Sequence, residues 1–252
     1  MKARLEVDGR VARVILAAPK ANVLDRAMIE DLESLFSQLA PRRDLCAIVI
    51  ASDGAHFSFG ASVEEHLPEQ IEAALPRLSH LLRTIAAAPA PTIAAVRGQC
   101  LGGGLELVLA CDLIVAEESA QLGVPEIKLA VFPPAAAALL PVRIGAANAS
   151  LLALTGRSWN GVEAKQAGLV ARLAPTGALD DEVGALLEAD FVSRSPAALR
   201  HAARAVRAPI VRALEHDLPR LEKLYLEELM REPDAAEGIR AFLEKREPHW
   251  ST

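Results

Sequence analysis

The sequence predicts an α/β fold in which strands and helices alternate, followed by a region made of helices alone. Up to about residue 175, segments of strand length alternate with segments of helical periodicity, and beyond that point only helical patterns occur. A chain of 252 residues is long enough for one or two domains. We therefore expect an α/β core over residues 1–175 and a closely packed helical region over residues 176–252.

A β-hairpin opens the predicted core. Residues 3–7 and 10–16 have strand character and flank the turn dipeptide Asp8-Gly9. Asp25 is placed to cap a helix whose apolar positions repeat at spacings of three and four. The continuous apolar run 46–51 then predicts a strand covered on both faces.

The alternation continues through the middle of the chain and ends in consecutive helices. We predict a helix over 68–87, a strand over 92–96, a glycine turn, a helix from about Gly103 and a strand over 113–116, the pattern of βαβ units. Ser195 is expected to cap one of the later helices, and Asp234 with Glu237 to form a capping box. The predicted C-terminal helices cover 180–192, 196–208, 214–230 and 234–245.

Composition excludes several classes of partner. The formal net charge is −6, and no stripe of Lys and Arg is present, so nucleic acid is not expected to bind. The hydrophobic fraction of 52% is high, which favours an oligomer that buries more apolar surface than one protomer can. The longest apolar run, 129–142, is short and contains three prolines, so we expect no membrane partner.

Cysteine and histidine usage gives no sign of a metal site. Three cysteines lie in apolar stretches without a CxxC pair, which predicts buried thiols in a reducing, cytoplasmic setting. The early charged residues leave no apolar region for a signal peptide. None of the six histidines forms an HxxxH pair, so each is interpreted as a surface or packing residue and a metal hydrolase is disfavoured.

Three short segments carry candidate chemistry. The turn 102–104 precedes a helix, so its N–H groups can approach a ligand and favour negative charge, and Glu106 follows within an apolar helix. Glu126 is a second acid among apolar neighbours, and two such acids suit hydration of an activated double bond. The loop 56–62 could bring a second N–H group beside that of Gly103.

Together these segments resemble the enoyl-CoA hydratase/isomerase (crotonase) family. The resemblance rests on Phe-Ser-Phe-Gly-Ala at 57–61, Gly-Gly-Gly-Leu-Glu at 102–106 and Gly-Val-Pro-Glu at 123–126, and it covers nearly the whole chain. It implies a crotonase (ClpP-like) fold of repeated ββα units with a C-terminal helical trimerisation region. It also implies a homotrimer or homohexamer that binds an acyl-CoA thioester and needs no cofactor besides the CoA of its substrate.

The same resemblance assigns roles to residues. It implies that the N–H groups of Ala61 and Gly103 form an oxyanion hole and that Glu106 and Glu126 are the catalytic pair. The family favours Glu126 as the proton donor, but the sequence itself does not decide which carboxyl takes which role. The remaining implied contacts are with the substrate and its CoA: Lys20, Ala21, Phe59, Gly60, Pro133 and Lys245.

Two departures from the family pattern bear on the substrate. Ser62 stands where the family usually has aspartate, and Pro-Pro-Ala-Ala-Ala at 133–137 replaces a glycine-rich segment beside the acyl group. The stiffer segment disfavours a long linear acyl chain. The strings HFSFGASVEEH, RGQCLGGGLE, VFPPAA and LYLEELM are most similar to family members that hydrate a cyclic, conjugated dienoyl-CoA, and this is the leading hypothesis.

Other activities stay open within this family. A double-bond isomerase can work with one carboxylate, so the presence of Glu106 and Glu126 favours hydration without excluding isomerisation. A general enoyl-CoA hydratase acting on another acyl group is a further alternative. A non-enzymatic CoA-binding or RNA-binding relative is a third, because a fold alone does not determine function.

Overall fold

The computed structural model describes residues 1–18 and 20–251, which form two β-sheets surrounded by helices. The strands are β1 (Ala3–Asp8), β2 (Val11–Leu16), β3 (Ala47–Ser52), β4 (Thr92–Val96), β5 (Gln99–Leu101), β6 (Leu113–Glu117), β7 (Gln121–Gly123), β8 (Ser158–Asn160) and β9 (Arg172–Ala174). The larger sheet has six strands in the order β1-β2-β3-β4-β6-β9, and the smaller has the order β5-β7-β8.

In the described part of the chain, ten α-helices lie between and after these strands. They are α1 (Arg26–Leu39), α2 (Ile71–Ala86), α3 (Gly103–Leu109), α4 (Pro134–Thr155), α5 (Gly161–Gln166), α6 (Leu179–Asp190), α7 (Pro196–Val206), α8 (Ala208–Arg212), α9 (Leu218–Glu227) and α10 (Pro233–Glu244). Short 3-10 helices cover Glu64–His66, Pro125–Leu129 and Leu229–Arg231. The described residues thus alternate strand and helix until β9 and are helical after it, which confirms the α/β class.

The large sheet has the predicted hairpin at its edge and a buried strand at its centre. β1 and β2 pair antiparallel through the turn at Gly9, while β2-β3, β3-β4, β4-β6 and β6-β9 pair parallel. β3 is buried along nearly its whole length, as expected for a strand covered on both faces. Asp25 caps α1 by accepting a hydrogen bond from the Met28 N–H at 3.0 Å.

The small sheet was not predicted from the sequence. Each of its strands has three residues, too few for a period-two pattern to be recognised. β5 occupies part of what the sequence suggested was a glycine turn, and it ends immediately before Gly102. The sheet therefore sets the direction in which the chain enters α3.

α4 is the longest helix and was not predicted as one. It begins with Pro134 at its first position, a favourable place because that residue's missing N–H would have no intrahelical partner. Gly145 interrupts it with non-helical backbone angles. α4 is long and apolar enough to cross a membrane. The core helices of soluble proteins meet the same criterion of length and composition, so this is weak evidence for a membrane span. It packs against α3 and α9.

The C-terminal helices confirm most of the predicted segments and correct two. The helix predicted over 214–230 is divided into the π-helical turn Ala213–Asp217, α9 and the 3-10 helix Leu229–Arg231. The predicted capping box is wrong, because α10 begins at Pro233 and Asp234 accepts a hydrogen bond from the Ser251 N–H at 2.7 Å. Glu237 instead pairs with Arg246 at 2.6 Å. Ser195 caps α7 as predicted.

A buried ion pair joins the helical region to the core. The Arg207 guanidinium binds Asp112 and donates to the carbonyl oxygens of Ala88 and Ala90, both at 2.7 Å. Leu218 belongs to the same hydrophobic core as the sheet. The two parts therefore pack closely, while their division near residue 175 stays a prediction.

Candidate active site

The backbone nitrogen of Ala61 lies close to Gly103, where α3 begins. Gly103 is the first residue of α3, so its N–H has no carbonyl partner within the helix. A Cβ atom placed on Gly103 would lie 3.0 Å from the nitrogen of Ala61. The loop of Ala61 is fixed by a parallel bridge to Leu24, whose N–H donates to the Gly60 carbonyl at 2.9 Å. The close approach of Ala61 and Gly103 is the geometry expected of an oxyanion hole.

Glu106 is buried in the first turn of α3 and held by the next helix. Its Oε1 accepts a hydrogen bond from the Ala136 N–H at 2.8 Å, at the N-terminus of α4. The segment 133–137, interpreted as a stiffened loop, is in fact this helix start, and its backbone holds a carboxylate. Burial raises the pKa of Glu106 to about 7, against the opposing effect of the N–H groups of Ala136 and Ala135.

Glu126 lies opposite, in the 3-10 helix that follows β7. A Cβ atom on Gly102 would lie 2.3 Å from the Glu126 Oε1, so the absence of a side chain at Gly102 makes room for this carboxylate. Burial, and then the nearby charge of Glu106, raise the pKa of Glu126 to about 8. Its Oε2 is buried without a hydrogen-bond partner among the described residues. The pair therefore keeps a proton near neutral pH, as an acid–base pair requires.

These groups share one cleft, which is small and mostly apolar. Ala61, Gly103, Glu106 and Glu126 all line it, and its volume is about 90 Å³. Its apolar walls come from α2, α10 and the segment before α4: Leu75, Leu78, Val131, Phe132, Pro133 and Ile239. The structure thus brings together all four residues assigned to catalysis and the oxyanion hole.

A larger groove continues outward from the cleft. It has a volume of about 680 Å³ and shares Phe59, Ala61 and Pro125 with the cleft. Its outer part is formed by α10 and the residues just after it, and the cations Lys128 and Arg246 lie along it. A long ligand fits this arrangement if its acyl group lies in the apolar cleft and its anionic groups lie along the groove, near the two cations.

The predicted substrate contacts divide into two groups. Phe59, Gly60 and Pro133 line the cleft. Lys20, Ala21 and Lys245 line neither the cleft nor the groove, although the Ala21 carbonyl accepts a hydrogen bond from the Phe59 N–H at 2.9 Å. Lys20 and Lys245 are exposed, and their contact with CoA stays a prediction.

Sequence reasoning missed His66, which lines the cleft, and Tyr225, which packs against the cleft residue Phe132. His66, interpreted as a surface or packing residue, lines the cleft, and burial lowers the pKa of its ring, which donates from Nδ1 to the Ser62 carbonyl at 2.7 Å. Tyr225 of α9 packs edge-on against Phe132, with ring centroids 5.4 Å apart. His66 could have been found as the second histidine of the string HFSFGASVEEH. Tyr225 lies in an ordinary amphipathic helix, so the sequence contained no signal for it.

The three cysteines and the possible metal ligands add no further chemistry to the site. Cys46, Cys100 and Cys111 are buried and free, as predicted, and burial raises the pKa of the Cys111 thiol to about 12. Within residues 1–18 and 20–251, no group of three or more His, Cys, Asp or Glu side chains is arranged to hold a metal ion.

Comparison with known proteins identifies the family. Residues 6–252 match the family described as enoyl-CoA hydratase/isomerase. The chain is 44% identical to the cyclohexa-1,5-dienecarbonyl-CoA hydratase of Thauera aromatica, covering 99% of this chain and 96% of that protein. It is 36% identical to a "Probable enoyl-CoA hydratase" of Bacillus subtilis, covering 98% and 97% of the two chains.

A solved structure shares the architecture over the whole length. The enoyl-CoA hydratase of Mycobacterium avium subsp. paratuberculosis superposes with a TM-score of 0.88 at 27% identity, covering 100% of this chain and 99% of that one. The match confirms the crotonase fold expected from the sequence. The chain therefore belongs to the enoyl-CoA hydratase/isomerase family, as a hydro-lyase that acts on enoyl-CoA thioesters.

Proposed function

We propose that this hydratase adds water to cyclohexa-1,5-diene-1-carbonyl-CoA and forms 6-hydroxycyclohex-1-ene-1-carbonyl-CoA. The observation that carries the proposal is the 44% identity, over 99% of the chain, to a relative named for this substrate. The cleft supports it, because a volume of about 90 Å³ with Phe132 and Pro133 in its wall suits a compact ring better than a long chain.

The oxyanion hole starts the proposed reaction. The thioester withdraws electrons, so the β-carbon of one ring double bond is electrophilic. Water attacks there, and the electron pair of that double bond moves onto the thioester oxygen. The N–H groups of Ala61 and Gly103 then stabilise the negative charge, assisted by the positive end of the α3 dipole. The resulting dienolate extends over the second ring double bond.

Glu106 and Glu126 then divide the proton transfers. Glu106, with the lower pKa and its Oε1 held by the Ala136 N–H, accepts a proton from the attacking water. Glu126, with the higher pKa, donates its proton to the far end of the dienolate. The new C–O and C–H bonds complete a 1,4-addition, and proton exchange restores the two carboxyls. Side chains perform every transfer, so the proposal needs no cofactor beyond the CoA of the substrate.

The test is a direct comparison of two substrates with purified enzyme. We expect the cyclic dienoyl-CoA to be hydrated with a kcat/KM at least tenfold above that of crotonyl-CoA, and the hydroxylated product to be identified by mass spectrometry and NMR. If crotonyl-CoA is hydrated efficiently and the cyclic diene is ignored, the ring assignment fails, and a general enoyl-CoA hydratase becomes the better description.

We also propose that the chain assembles as a homotrimer or a homohexamer. Apolar side chains remain exposed on the single protomer, with Leu154 72% and Val206 70% accessible. Their burial in an interface would remove this apolar surface from water. Light scattering at micromolar concentration should give three or six times the 26.8 kDa protomer mass. A monomeric mass would contradict the proposal.

A further inference from the structure

Arg143 of α4 binds the far end of the helix that begins at the proposed oxyanion hole. Its guanidinium donates to the Leu109 carbonyl from Nη2 at 2.8 Å and from Nε at 3.1 Å, and Nη2 also donates to the Cys111 carbonyl. Leu109 is the last residue of α3, and the last carbonyl groups of a helix have no partner within it. Leu109 and Cys111 are buried, and buried carbonyl groups need a partner. Arg143 therefore satisfies the C-terminal end of α3.

α4 holds α3 at a second point, one turn from its start. The Ala136 N–H donates to Glu106 Oε1 at 2.8 Å. Ala136 and Arg143 are seven residues apart, so they lie two turns apart along the same side of α4. Both precede Gly145, where α4 loses its helical backbone angles, so both belong to one continuous stretch of helix. This single stretch of α4 therefore holds α3 at Glu106 and at Leu109.

The start of α3 is the place where a displacement of this helix would matter. α3 has seven residues, so its two ends are only about 10 Å apart, and a shift at Leu109 is passed on to Gly103. The Gly103 backbone lies so close to the next loop that a Cβ there would be 3.0 Å from the Ala61 nitrogen. In an active site, a misplacement of about 1 Å can lower the rate about 10²-fold.

We propose that Arg143 is a positioning residue for hydration. By holding the Leu109 and Cys111 carbonyls, it fixes α3 so that the Gly103 N–H meets the thioester oxygen of the substrate. Arg143 itself lines neither the cleft nor the groove, so it acts through α3 and does not touch the substrate. Its effect is greatest when negative charge develops on the thioester oxygen, so it raises kcat more than it strengthens binding. The inference rests on the oxyanion hole of the proposed function and applies whichever enoyl thioester is the substrate.

Two substitutions of Arg143 test this role by steady-state kinetics. Arg143→Met removes the guanidinium and keeps a long side chain, whereas Arg143→Lys keeps the positive charge but loses the planar fork that reaches two carbonyls. We expect kcat to fall about 10- to 100-fold in Arg143→Met and about three- to tenfold in Arg143→Lys, with KM within about threefold of the wild type. Wild-type kcat in the folded variants would show that Arg143 only stabilises the fold, and the inference would be wrong.

An infrared measurement reports on the Gly103 N–H without turnover. The carbonyl stretching frequency of a thioester falls when hydrogen bonds polarise its oxygen, so the ligand is cyclohexanecarbonyl-CoA with an isotopically labelled carbonyl group, which has no double bond to hydrate. We expect its frequency to fall on binding to the wild type, to fall less in Arg143→Lys and to fall least in Arg143→Met. An equal fall in the wild type and in Arg143→Lys would overturn the inference, even if Arg143→Met does not fold.

Arg10→Met is the matched control. The Arg10 guanidinium also donates to two backbone carbonyls that follow a helix, those of Val192 and Arg194 after α6, both at 2.9 Å. Arg10 lines neither the cleft nor the groove, so Arg10→Met should keep the wild-type kcat and infrared frequency even where it lowers Tm. Equal losses of kcat in Arg10→Met and Arg143→Met would contradict a specific role for Arg143. If the wild type hydrates neither the cyclic diene nor crotonyl-CoA, the proposed function fails, and the infrared comparison still tests Arg143.

Discussion

The inner cleft and the outer groove differ in what holds their functional groups in place. In the cleft, the Ala61 and Gly103 nitrogens belong to the backbone, and the Glu106 carboxylate is fixed by the Ala136 N–H. In the groove, Lys128 and Arg246 are exposed, and Arg246 is paired with Glu237. Groups held at fixed positions suit proton transfer over fixed distances, whereas exposed cations suit electrostatic binding of anionic groups.

The largest expected effect comes from the cleft carboxylates. Glu106→Gln and Glu126→Gln keep side-chain shape but remove the proton-transfer group, and general acid–base catalysis typically contributes about 10²- to 10⁴-fold. Both variants should hydrate the thioester at least about 10²-fold more slowly and still bind it, as measured by steady-state kinetics and equilibrium titration. Full activity in both would refute the two-carboxylate mechanism.

The next effect concerns the oxyanion hole. Gly103→Pro deletes the N–H and also adds a Cβ 3.0 Å from the Ala61 nitrogen, so Gly103→Ala, which adds the Cβ and keeps the N–H, is its control. We expect kcat to fall by about 10²- to 10³-fold, the usual consequence of losing one such donor, with the fold retained by circular dichroism. Retained turnover in a folded variant would remove Gly103 from the site.

A pair of alanine substitutions sharpens this result. Gly103→Ala places a Cβ 3.0 Å from the Ala61 nitrogen and should lower turnover by displacing the loop. Gly184→Ala, in α6, meets nothing within 4 Å and should leave turnover unchanged and raise stability slightly. Equal effects of the two substitutions would show that the close approach of Ala61 and Gly103 is unimportant.

A region could be predicted from the sequence when the residues that form it are close together along the chain, and not when they are far apart. The functional groups of the cleft are encoded by short segments, because an N–H group at a helix start and an acid one turn later need only local sequence. The starting point of α4 could not be predicted, since an apolar run from residue 129 has no helical period. The outer part of the groove is formed by α10, and Tyr225 belongs to α9. Both helices pack onto the cleft from more than 80 residues further along the chain, and sequence periodicity does not specify such packing.

The buried carboxyls should also make stability depend on pH. Their pKa values of about 7 and about 8 lie above the ordinary 4.5, so between about pH 4.5 and 8 the folded state binds more protons than the unfolded state. Stability therefore falls as the pH rises through this window. Thermal unfolding from pH 5 to 8.5 should show a falling Tm, with a flatter curve for Glu106→Gln and Glu126→Gln. An equally steep fall in both variants would assign the dependence to other groups.

The smallest expected effect lies in the groove, where exposed charges contribute little individually. Lys128→Ala should raise KM for the CoA thioester by about two- to fivefold and leave kcat unchanged, because an exposed ion pair is worth about 0.2–1 kcal/mol. The effect should shrink at high salt, where such contacts are screened. Lys245→Ala is the informative comparison, since the family resemblance assigns CoA binding to Lys245, whereas Lys128 lines the groove. A larger KM increase for Lys245→Ala would show that the bound CoA reaches Lys245, which is not among the residues that line the groove.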